Sequence, residues 1–171
     1  LYHTDDAGND HRLGITLGTA TATTSGTSID FTGIPSGVKR IQIGFEGISA
    51  ASGSDQLIQL GDAGGFENAG YLGTCIHVSP SAQAGGTHTD GFQYTETMGA
   101  ASVVHGVMTL ILIDASTFTW CGNSTVSLSN TAQIIMSGTS KSLSAELTQV
   151  RLSTVSGSVA FDAGKINIQF E

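Results

Sequence analysis

The sequence predicts an all-β protein, an antiparallel, jelly-roll-like β-sandwich of about ten strands. Three observations carry this prediction. Ser and Thr make up about a quarter of the 171 residues and there are 23 glycines, a mixture of strand-forming and turn-forming residues. Apolar and polar residues alternate in several short runs, as they do along half-buried strands. Turn signals separate these runs at short, irregular intervals, which is typical of a sandwich and not of a repeat protein.

Five short runs in the first half of the chain predict strands, because they alternate in polarity or are rich in Thr, Val, Ile and Phe. They cover residues 19–31, 38–49, 55–62, 71–79 and 92–97. The first run reads either as two Thr-rich strands or as one hairpin about Gly26. The apolar residues of the second run share one face, which we expect in the core: Ile41, Ile43 and Phe45. A polar stretch, residues 80–91, separates the last two runs.

The second half of the chain predicts five more strand-containing runs. They cover residues 102–114, 117–129, 132–144, 147–161 and 164–171. The first is apolar at both alternating positions, which is typical of a central strand buried on both faces. In the second run, Trp120 alternates in phase with other apolar residues, so we expect it to face the core. In the last run, Ile166, Ile168 and Phe170 are expected to face inward. The third and fourth runs each contain a Ser-Gly pair at which we expect a turn. Residues 143–154 also fit a helical stripe, but their Ser and Thr content favours a strand.

The charge of the chain argues against nucleic acid and anionic membranes as partners. The net charge is −8 and the six Lys and Arg residues are scattered, whereas a phosphate-binding surface needs clustered basic side chains. The longest apolar run, residues 103–113, is too short for a membrane span, so no membrane insertion is expected. The chain begins at Leu1 without a methionine, which predicts a fragment or a processed product.

Two cysteines, Cys75 and Cys121, lie in predicted strands. We interpret both as small buried apolar residues. A disulfide between them requires Cα atoms within about 7 Å of each other, a distance that the sequence leaves open. Neither cysteine belongs to a metal-binding C-x-x-C pair.

A glycine-rich stretch, QLGDAGGFENAG at residues 59–70, follows a predicted strand and raises the question of a ligand loop. It lacks the lysine and the following helix of a phosphate-binding loop. Its oxygen-bearing side chains do not have the spacing of a calcium loop, and the histidines of the chain do not pair at metal-binding spacing. We therefore predict no metal and no cofactor. The stretch is interpreted as a turn that returns the chain to the sheet at Tyr71.

Binding is easier to support than catalysis in this sequence. There is no G-x-S-x-G nucleophile motif, so we predict no catalytic residue and no enzyme activity. The acids in or near the loops are interpreted as solvated carboxylates: Asp62, Glu67, Asp90 and Glu96. Sugar-binding sites combine aromatic faces with hydrogen-bonding groups on loops. The candidate ligand-binding residues on this basis are Glu67, Asn68, Tyr71, His88, Asp90 and Tyr94, with the two tyrosines as aromatic platforms.

Two parts of the chain resemble a domain found near the C-terminal ends of tailed-bacteriophage tail fibres and tailspikes. Residues 21–71 carry the strand and turn TSGTSIDFTGIP, the strand opening VKRI, and LIQLGD followed by the glycine-rich loop and a closing tyrosine. Residues 146–171 carry FDAG before a last strand. The middle of the chain carries no such pattern.

The resemblance implies a non-enzymatic virion protein that forms a homotrimer, contacts other virion proteins and attaches to a glycan or protein receptor on the host cell surface. Residues 1–18 would then connect a fibre shaft or virion anchor to a single sandwich domain at residues 19–171. The alternative is a capsid decoration or head-fibre domain that stabilises the particle without binding a receptor. The matched motifs are strands and turns, so they transfer no catalytic residues.

Overall fold

Two antiparallel sheets pack face to face and confirm the predicted all-β sandwich. The structure, a computed structural model, describes the backbone of residues 2–4 and 10–12 and the whole of residues 14–171. No helix occurs among these residues, so the described part of the chain has no helical membrane span. The strands in chain order are β1 (Tyr2–Thr4), β2 (Asp10–Arg12), β3 (Thr16–Leu17), β4 (Thr21–Ala22), β5 (Ser28–Thr32), β6 (Arg40–Ala50), β7 (Gln56–Asp62), β8 (Gly65–Phe66), β9 (Leu72–Val78), β10 (Gln83–His88), β11 (Phe92–Gln93), β12 (Val104–Asp114), β13 (Thr119–Leu128), β14 (Gln133–Ser142), β15 (Gln149–Thr154) and β16 (Phe161–Phe170).

The two sheets differ in width. The larger one has nine strands in the order β10-β9-β14-β13-β12-β6-β16-β3, with β4 also pairing with β16. The smaller one has five strands in the order β11-β7-β15-β5, with β8 pairing with β7, and β1 and β2 form a separate pair. Ten of these fourteen sandwich strands have five residues or more, and nine of the ten lie in predicted runs; the exception is β10, and the predicted run at residues 92–97 contains only the short β11. The other four have two residues each, too few for an alternating pattern to be detected.

Inward side chains of both sheets fill the space between them. The residues predicted to face the core are buried, with Phe170 partly so: Ile41, Ile43, Phe45, Trp120, Ile166, Ile168 and Phe170. The Phe45 ring stacks on the Tyr94 ring with centroids 4.2 Å apart, which joins β6 to the segment that follows β11. Each large apolar side chain that is fully buried contributes about 1.5–3 kcal/mol to stability.

The central strand β12 is buried on one face, not on both as its sequence predicts. It lies between β13 and β6, as a central strand should. Met108 and Leu110 are fully buried, whereas Val107, Ile111 and Ile113 are between 47% and 62% exposed. The reason is that the smaller sheet covers the inner face of the larger sheet, and the outer face has no third layer of described residues over it.

Four other predicted segments are corrected or decided by strand pairing. The run at residues 19–31 forms two strands and not a hairpin, because β4 pairs with β16 in the larger sheet and β5 with β15 in the smaller one. The polar stretch at residues 80–91 contains β10, which the weak strand propensity of its Gln, Ala and Gly residues concealed. No turn forms at Ser137 and Gly138, since β14 pairs with β13 without interruption through both residues. Residues 149–154 form β15, which confirms the strand interpretation there.

The larger sheet includes part of the segment predicted as a connection at residues 1–18. Thr16 and Leu17 form β3 against Phe170 and Gln169 of β16. The Gly18 amide also donates a hydrogen bond to the Ile168 carbonyl at 2.8 Å. The sandwich therefore takes in residues that precede residue 19.

The two cysteines lie on opposite faces of the larger sheet. Cys75 of β9 is fully buried between the sheets, and burial raises the pKa of its thiol to about 12. Cys121 of β13 lies opposite Ile111 at an outward position and is partly exposed. Both thiols are free. The interpretation as buried apolar residues is correct for Cys75 and wrong for Cys121, and side chains on opposite faces of one sheet cannot form a disulfide.

Two glycines allow β6 and β16 to approach each other where their register shifts. Gly47 and Gly164 have φ angles of 66° and 94°, in the left-handed region that favours glycine. A Cβ atom on Gly164 would lie 2.4 Å from the Gly47 carbonyl oxygen. The FDAG motif thus ends at a position where the neighbouring strand leaves no space for a side chain.

Gly164→Ala is expected to lower the free energy of unfolding by about 3 kcal/mol or more, because it adds a steric clash to an unfavourable φ. Gly157→Ala is the matched control, since Gly157 has a φ of 66° and open space around its Cβ position. It should lose only about 1 kcal/mol. Urea denaturation measures both losses, and equal values would contradict the steric explanation.

Candidate functional site

The glycine-rich stretch forms a hairpin and then crosses from one sheet to the other. β7 ends at Asp62, the chain turns at Ala63 and Gly64, and β8 pairs back onto β7. The Gly64 amide donates a hydrogen bond to Asp62 Oδ1 at 2.7 Å, which closes the turn. β9 then begins at Leu72 in the larger sheet. The predicted turn is present, but after Tyr71 the chain enters the other sheet and does not return to the sheet it left.

A set of polar contacts, which we call the loop clasp, fixes this crossing to the larger sheet. It consists of Asp62 and Glu67 from the loop, Lys141 from β14, and Ser144 just after β14. The Lys141 Nζ lies 2.5 Å from Glu67 Oε2, and the Lys141 side chain is only 7% exposed. Ser144 donates its amide to Glu67 Oε1 at 2.8 Å and its hydroxyl to Asp62 Oδ2 at 2.6 Å. Glu67, a candidate ligand-binding residue, therefore has its carboxylate engaged within the protein.

The loop clasp keeps both of its carboxylates ionised. Hydrogen bonds from the Ser144 hydroxyl and the Gly64 amide lower the pKa of Asp62 below its ordinary value. Burial raises the pKa of Glu67, but the Lys141 ammonium and the Ser144 amide outweigh burial, and the pKa is lowered overall. The interpretation of Asp62 and Glu67 as solvated loop carboxylates is wrong, because Asp62 is buried and both side chains hold the loop in place.

Tyr71 and Tyr94, the predicted aromatic platforms, are fully buried. The Tyr71 hydroxyl donates to the Glu67 carbonyl at 2.8 Å and accepts from the Leu60 amide at 2.9 Å. The Tyr94 ring stacks on Phe45, and burial raises the pKa of both hydroxyls. The platform role is therefore wrong for both residues. A large ring with a satisfied hydroxyl is better accommodated in the core than on the surface of a loop.

His88 is also engaged within the protein. Its Nε2 lies 3.0 Å from Glu96 Oε2, and each of the two side chains is 17% exposed. The Gln93 Nε2 donates to the same Glu96 oxygen at 3.3 Å. Glu96 is thus not a solvated carboxylate, and His88 is not among the described residues that line the groove beside Asn68 and Asp90.

The remaining candidates, Asn68 and Asp90, come together at a polar groove on the outward face of the smaller sheet. The groove has a volume of about 340 Å³, which lies within the range of small-ligand sites. Its lining also includes hydroxyl, amide and guanidinium side chains: Thr27, Ser28, Gln59, Arg151, Ser153 and Ser156. The remaining three lining residues, Thr154, Val155 and Gly157, lie at the end of β15 and in the turn that follows it.

Cross-strand pairing brings together two residues that line this polar groove, Gln59 and Arg151, and places Asp30 beside them. Asp30, Arg151 and Gln59 lie side by side on β5, β15 and β7. Arg151 donates two hydrogen bonds to Asp30, at 2.7 and 2.8 Å, and its guanidinium lies 4.1 Å from the centre of the Phe66 ring. The hydrogen bonds to Asp30 raise the pKa of Arg151, so the guanidinium remains charged. The Gln59 Nε2 donates to the Asp90 carbonyl at 3.0 Å.

The chemistry of the polar groove suits a ligand with many hydroxyl groups. Ser and Thr hydroxyls both donate and accept hydrogen bonds, and the Gln59 and Asn68 amides do so through separate atoms. Asp90 adds an acidic acceptor and Arg151 a cationic donor. None of the described lining residues is aromatic, so the predicted stacking of a sugar on a tyrosine has no counterpart in the groove. Within residues 14–171, no three His, Cys, Asp or Glu side chains converge to hold a metal ion.

Sequence reasoning names Asn68 and Asp90 but misses Gln59, Arg151 and Ser28. What the sequence does show is that each of these three polar residues is followed or preceded by an apolar residue that is buried, as Ile29, Leu60 and Leu152 are. This places the three side chains on the outward side of their strands. The sequence does not tell which strands are neighbours, and this adjacency is what brings the three residues into one groove.

Comparisons of the chain with protein-family models, with curated proteins and with solved structures find no match.

The first prediction for this site concerns the buried ion pair. Lys141→Met leaves Glu67 without its cation, and we expect the free energy of unfolding to fall by about 3 kcal/mol. The double variant Lys141→Met/Glu67→Gln removes both charges and should recover at least about 1 kcal/mol of that loss. Chemical denaturation of the wild type, both single variants and the double variant measures the coupling. Strictly additive losses would show that the pair is not coupled.

The second prediction concerns acid sensitivity. The folded-state pKa values of Asp62 and Glu67 lie below their unfolded values, so their contribution to stability is complete above the unfolded pKa. It is lost as the pH falls through the lower, folded pKa. Denaturation curves between about pH 7 and about pH 3 should therefore show a shallower loss for Asp62→Asn than for the wild type. The exposed Asp162→Asn is the control and should follow the wild type.

Proposed function

We propose that this chain is a non-enzymatic host-attachment domain of a bacteriophage tail fibre or tailspike, and that it binds a cell-surface glycan in the polar groove. The virion assignment is supported by the resemblance of residues 21–71 and 146–171 to such domains. The binding assignment is supported by one observation. Hydroxyl, amide, carboxylate and guanidinium side chains converge in a groove of about 340 Å³ on an outward sheet face.

The contacts beneath the polar groove favour binding because they hold its polar groups before a ligand arrives. Arg151 is fixed by Asp30 and Phe66, and Gln59 by the Asp90 carbonyl. Side chains that are already ordered lose little entropy on binding. The two Arg151 hydrogen bonds to Asp30 leave further N–H donors of the guanidinium for a sugar hydroxyl or a sugar carboxylate.

The loop clasp also supports binding in the polar groove, because it holds the loop that carries Asn68. Glu67 is held by Lys141 and Ser144, and the next residue, Asn68, lines the polar groove. A loop that is anchored one residue from a ligand contact presents that contact with little freedom. We therefore assign Glu67 a positioning role in the proposed site and Asn68 and Asp90 the direct contacts.

Variants of the polar groove test this function. Asp90→Ala and Asn68→Ala should each weaken binding to immobilised lipopolysaccharide or capsular polysaccharide by about tenfold, since each removes a hydrogen-bonding group at the ligand. Asp162→Ala and Asn123→Ala are the matched controls, because both residues are exposed and lie outside the groove. Binding is measured by surface plasmon resonance and by adhesion of the labelled chain to cells.

Two outcomes of this experiment would contradict the proposal. One is a wild-type chain that binds neither bacterial cells nor any of their surface polysaccharides. The other is a chain whose binding is unchanged in both groove variants. Release of reducing sugar during incubation would argue for an enzyme and against the non-enzymatic assignment.

A second candidate function is that of a capsid decoration or head-fibre domain that stabilises the particle. It is favoured by the exposed aliphatic side chains of β12, which suit contacts with protein better than contacts with a sugar. Electron microscopy of virions labelled with an antibody to this chain distinguishes the two candidates, because the label lies either on the head or at the end of a fibre.

A further inference from the structure

A small cavity opens at the end of the sandwich where the turn between β12 and β13 meets the segments that precede β6 and β15. We call it the end cavity, and its volume is about 60 Å³. We propose that the end cavity binds a quaternary ammonium group carried by a larger ligand. It shares no lining residue with the polar groove, so the proposal does not rest on the proposed glycan-binding function.

Aromatic and aliphatic side chains form most of the wall of the end cavity. Trp120 of β13 and Phe118 of the preceding turn supply two aromatic rings, and ring faces attract cations. An unalkylated ammonium group would lose its hydration against such a wall without gaining hydrogen bonds. A quaternary ammonium group presents methyl groups instead. The aliphatic part of the wall consists of Val38, Leu112, Ala115 and Leu147.

The Glu146 carboxylate is the only ionisable group among the described residues that line the end cavity. The Ser36 hydroxyl lies 2.9 Å from each of its oxygens, and the Gly37 amide donates a hydrogen bond to Oε1 at 2.8 Å. These contacts hold a negative charge at the wall before a ligand arrives. Because the chain also has a net charge of −8, a cationic ligand has the charge that complements this cavity.

The backbone of Phe118 is strained in a way that places its ring at the end cavity. Its φ is 50°, in the left-handed region that a bulky residue rarely adopts and that Gly or Asn occupies at less cost. The Leu143 amide fixes this position by donating to the Phe118 carbonyl at 3.2 Å. Strained residues of this kind are concentrated at ligand sites, and here the strained residue is one of the two aromatic rings of the cavity.

The size of the end cavity matches a small terminal group and excludes a sugar ring. A volume of 60 Å³ has room for about four to six water-sized groups, at about 10–15 Å³ for each. A trimethylammonium head consists of one nitrogen and its methyl carbons and is of this size. The wall is also preformed, since the Leu112 amide donates to the Lys39 carbonyl at 2.8 Å and joins β12 to the segment before β6.

Fluorescence titration of the full chain with choline chloride tests the proposal, because Trp120 is the only tryptophan of the chain and lines the cavity. We expect a saturable change with a dissociation constant on the order of 1 mM. The control ligand is 3,3-dimethylbutanol, which has a carbon in place of the nitrogen and no charge. It should bind at least about fivefold more weakly. Potassium chloride at the same concentrations controls for ionic strength.

Two variants separate the charge of the cavity from its aromatic wall. Glu146→Gln should weaken choline binding at least about threefold and leave binding of 3,3-dimethylbutanol unchanged. Phe118→Leu keeps the wall apolar but removes one ring, and it should also weaken choline binding at least about threefold. Asp162→Asn is the matched control for Glu146→Gln, because Asp162 is an exposed carboxylate outside the cavity, and it should bind choline like the wild type.

Urea denaturation identifies a variant that fails to fold, in which case the other variant decides. The absence of a saturable change at choline concentrations far above the expected dissociation constant overturns the proposal. Equal binding of choline and 3,3-dimethylbutanol also overturns it, because the cavity would then take any small apolar group. Choline binding that a folded cavity variant leaves unchanged, or that Asp162→Asn weakens as much as Glu146→Gln does, has the same consequence.

Discussion

A sheet that is covered on one side has one dry face and one wet face, and this constraint decides where each residue type can lie in this protein. The smaller sheet shields the inward positions of the larger one, where the large apolar side chains lie. Along most strands the outward positions carry polar side chains instead. The exceptions to each rule therefore carry the information about function. They include a lysine on the dry face and a group of aliphatic residues on the wet face.

Lys141 is the exception on the dry face, and its burial explains how the chain passes between the sheets. An ammonium group taken out of water costs several kcal/mol unless a counter-charge and hydrogen bonds compensate it. Glu67 supplies the counter-charge from the loop that follows β8, and the Tyr71 ring lies 5.3 Å from the Lys141 Nζ. Few other conformations of the loop between β8 and β9 would keep Glu67 beside Lys141, and any other conformation would leave the buried Lys141 ammonium unpaired. The specificity of the loop conformation comes from this cost more than from the net stability of the ion pair.

Local patterns in the sequence are sufficient to predict most of the long strands and most of the core, because strand formation and burial leave a period of two. The inward residues of β6 and β16 follow from this period alone. Tyr71 and Tyr94 could not be assigned in the same way, since each lies just outside a strand, before β9 or after β11, and the partner of its hydroxyl cannot be read from the sequence. The pattern of β12 was read correctly as apolar on both faces. It could not reveal that one of those faces lies on the outside of the molecule, because the number of layers is a property of the whole fold.

The polar groove illustrates the same limit at the level of a site. Asn68 and Asp90 are recognisable as loop residues, but Gln59 and Arg151 become neighbours only through the order of β7 and β15 in the smaller sheet. Strand order depends on long-range packing, and a single sequence carries little record of it. A polar residue at an outward strand position is ordinarily a solvated one, so parity alone could not have marked these two as parts of a site.

The ends of the sheets have a consequence for assembly. An open edge strand exposes unpaired backbone amides and carbonyls, which can recruit strands from other molecules into a sheet that grows without limit. Here β16 is bordered by β3 and β4, two residues each, and the smaller sheet ends on one side at the two-residue β11. Such short borders give an incoming strand little backbone to pair with. The opposite edges are longer, since β10 has six residues and β5 has five, so an added strand would find more backbone to pair with there.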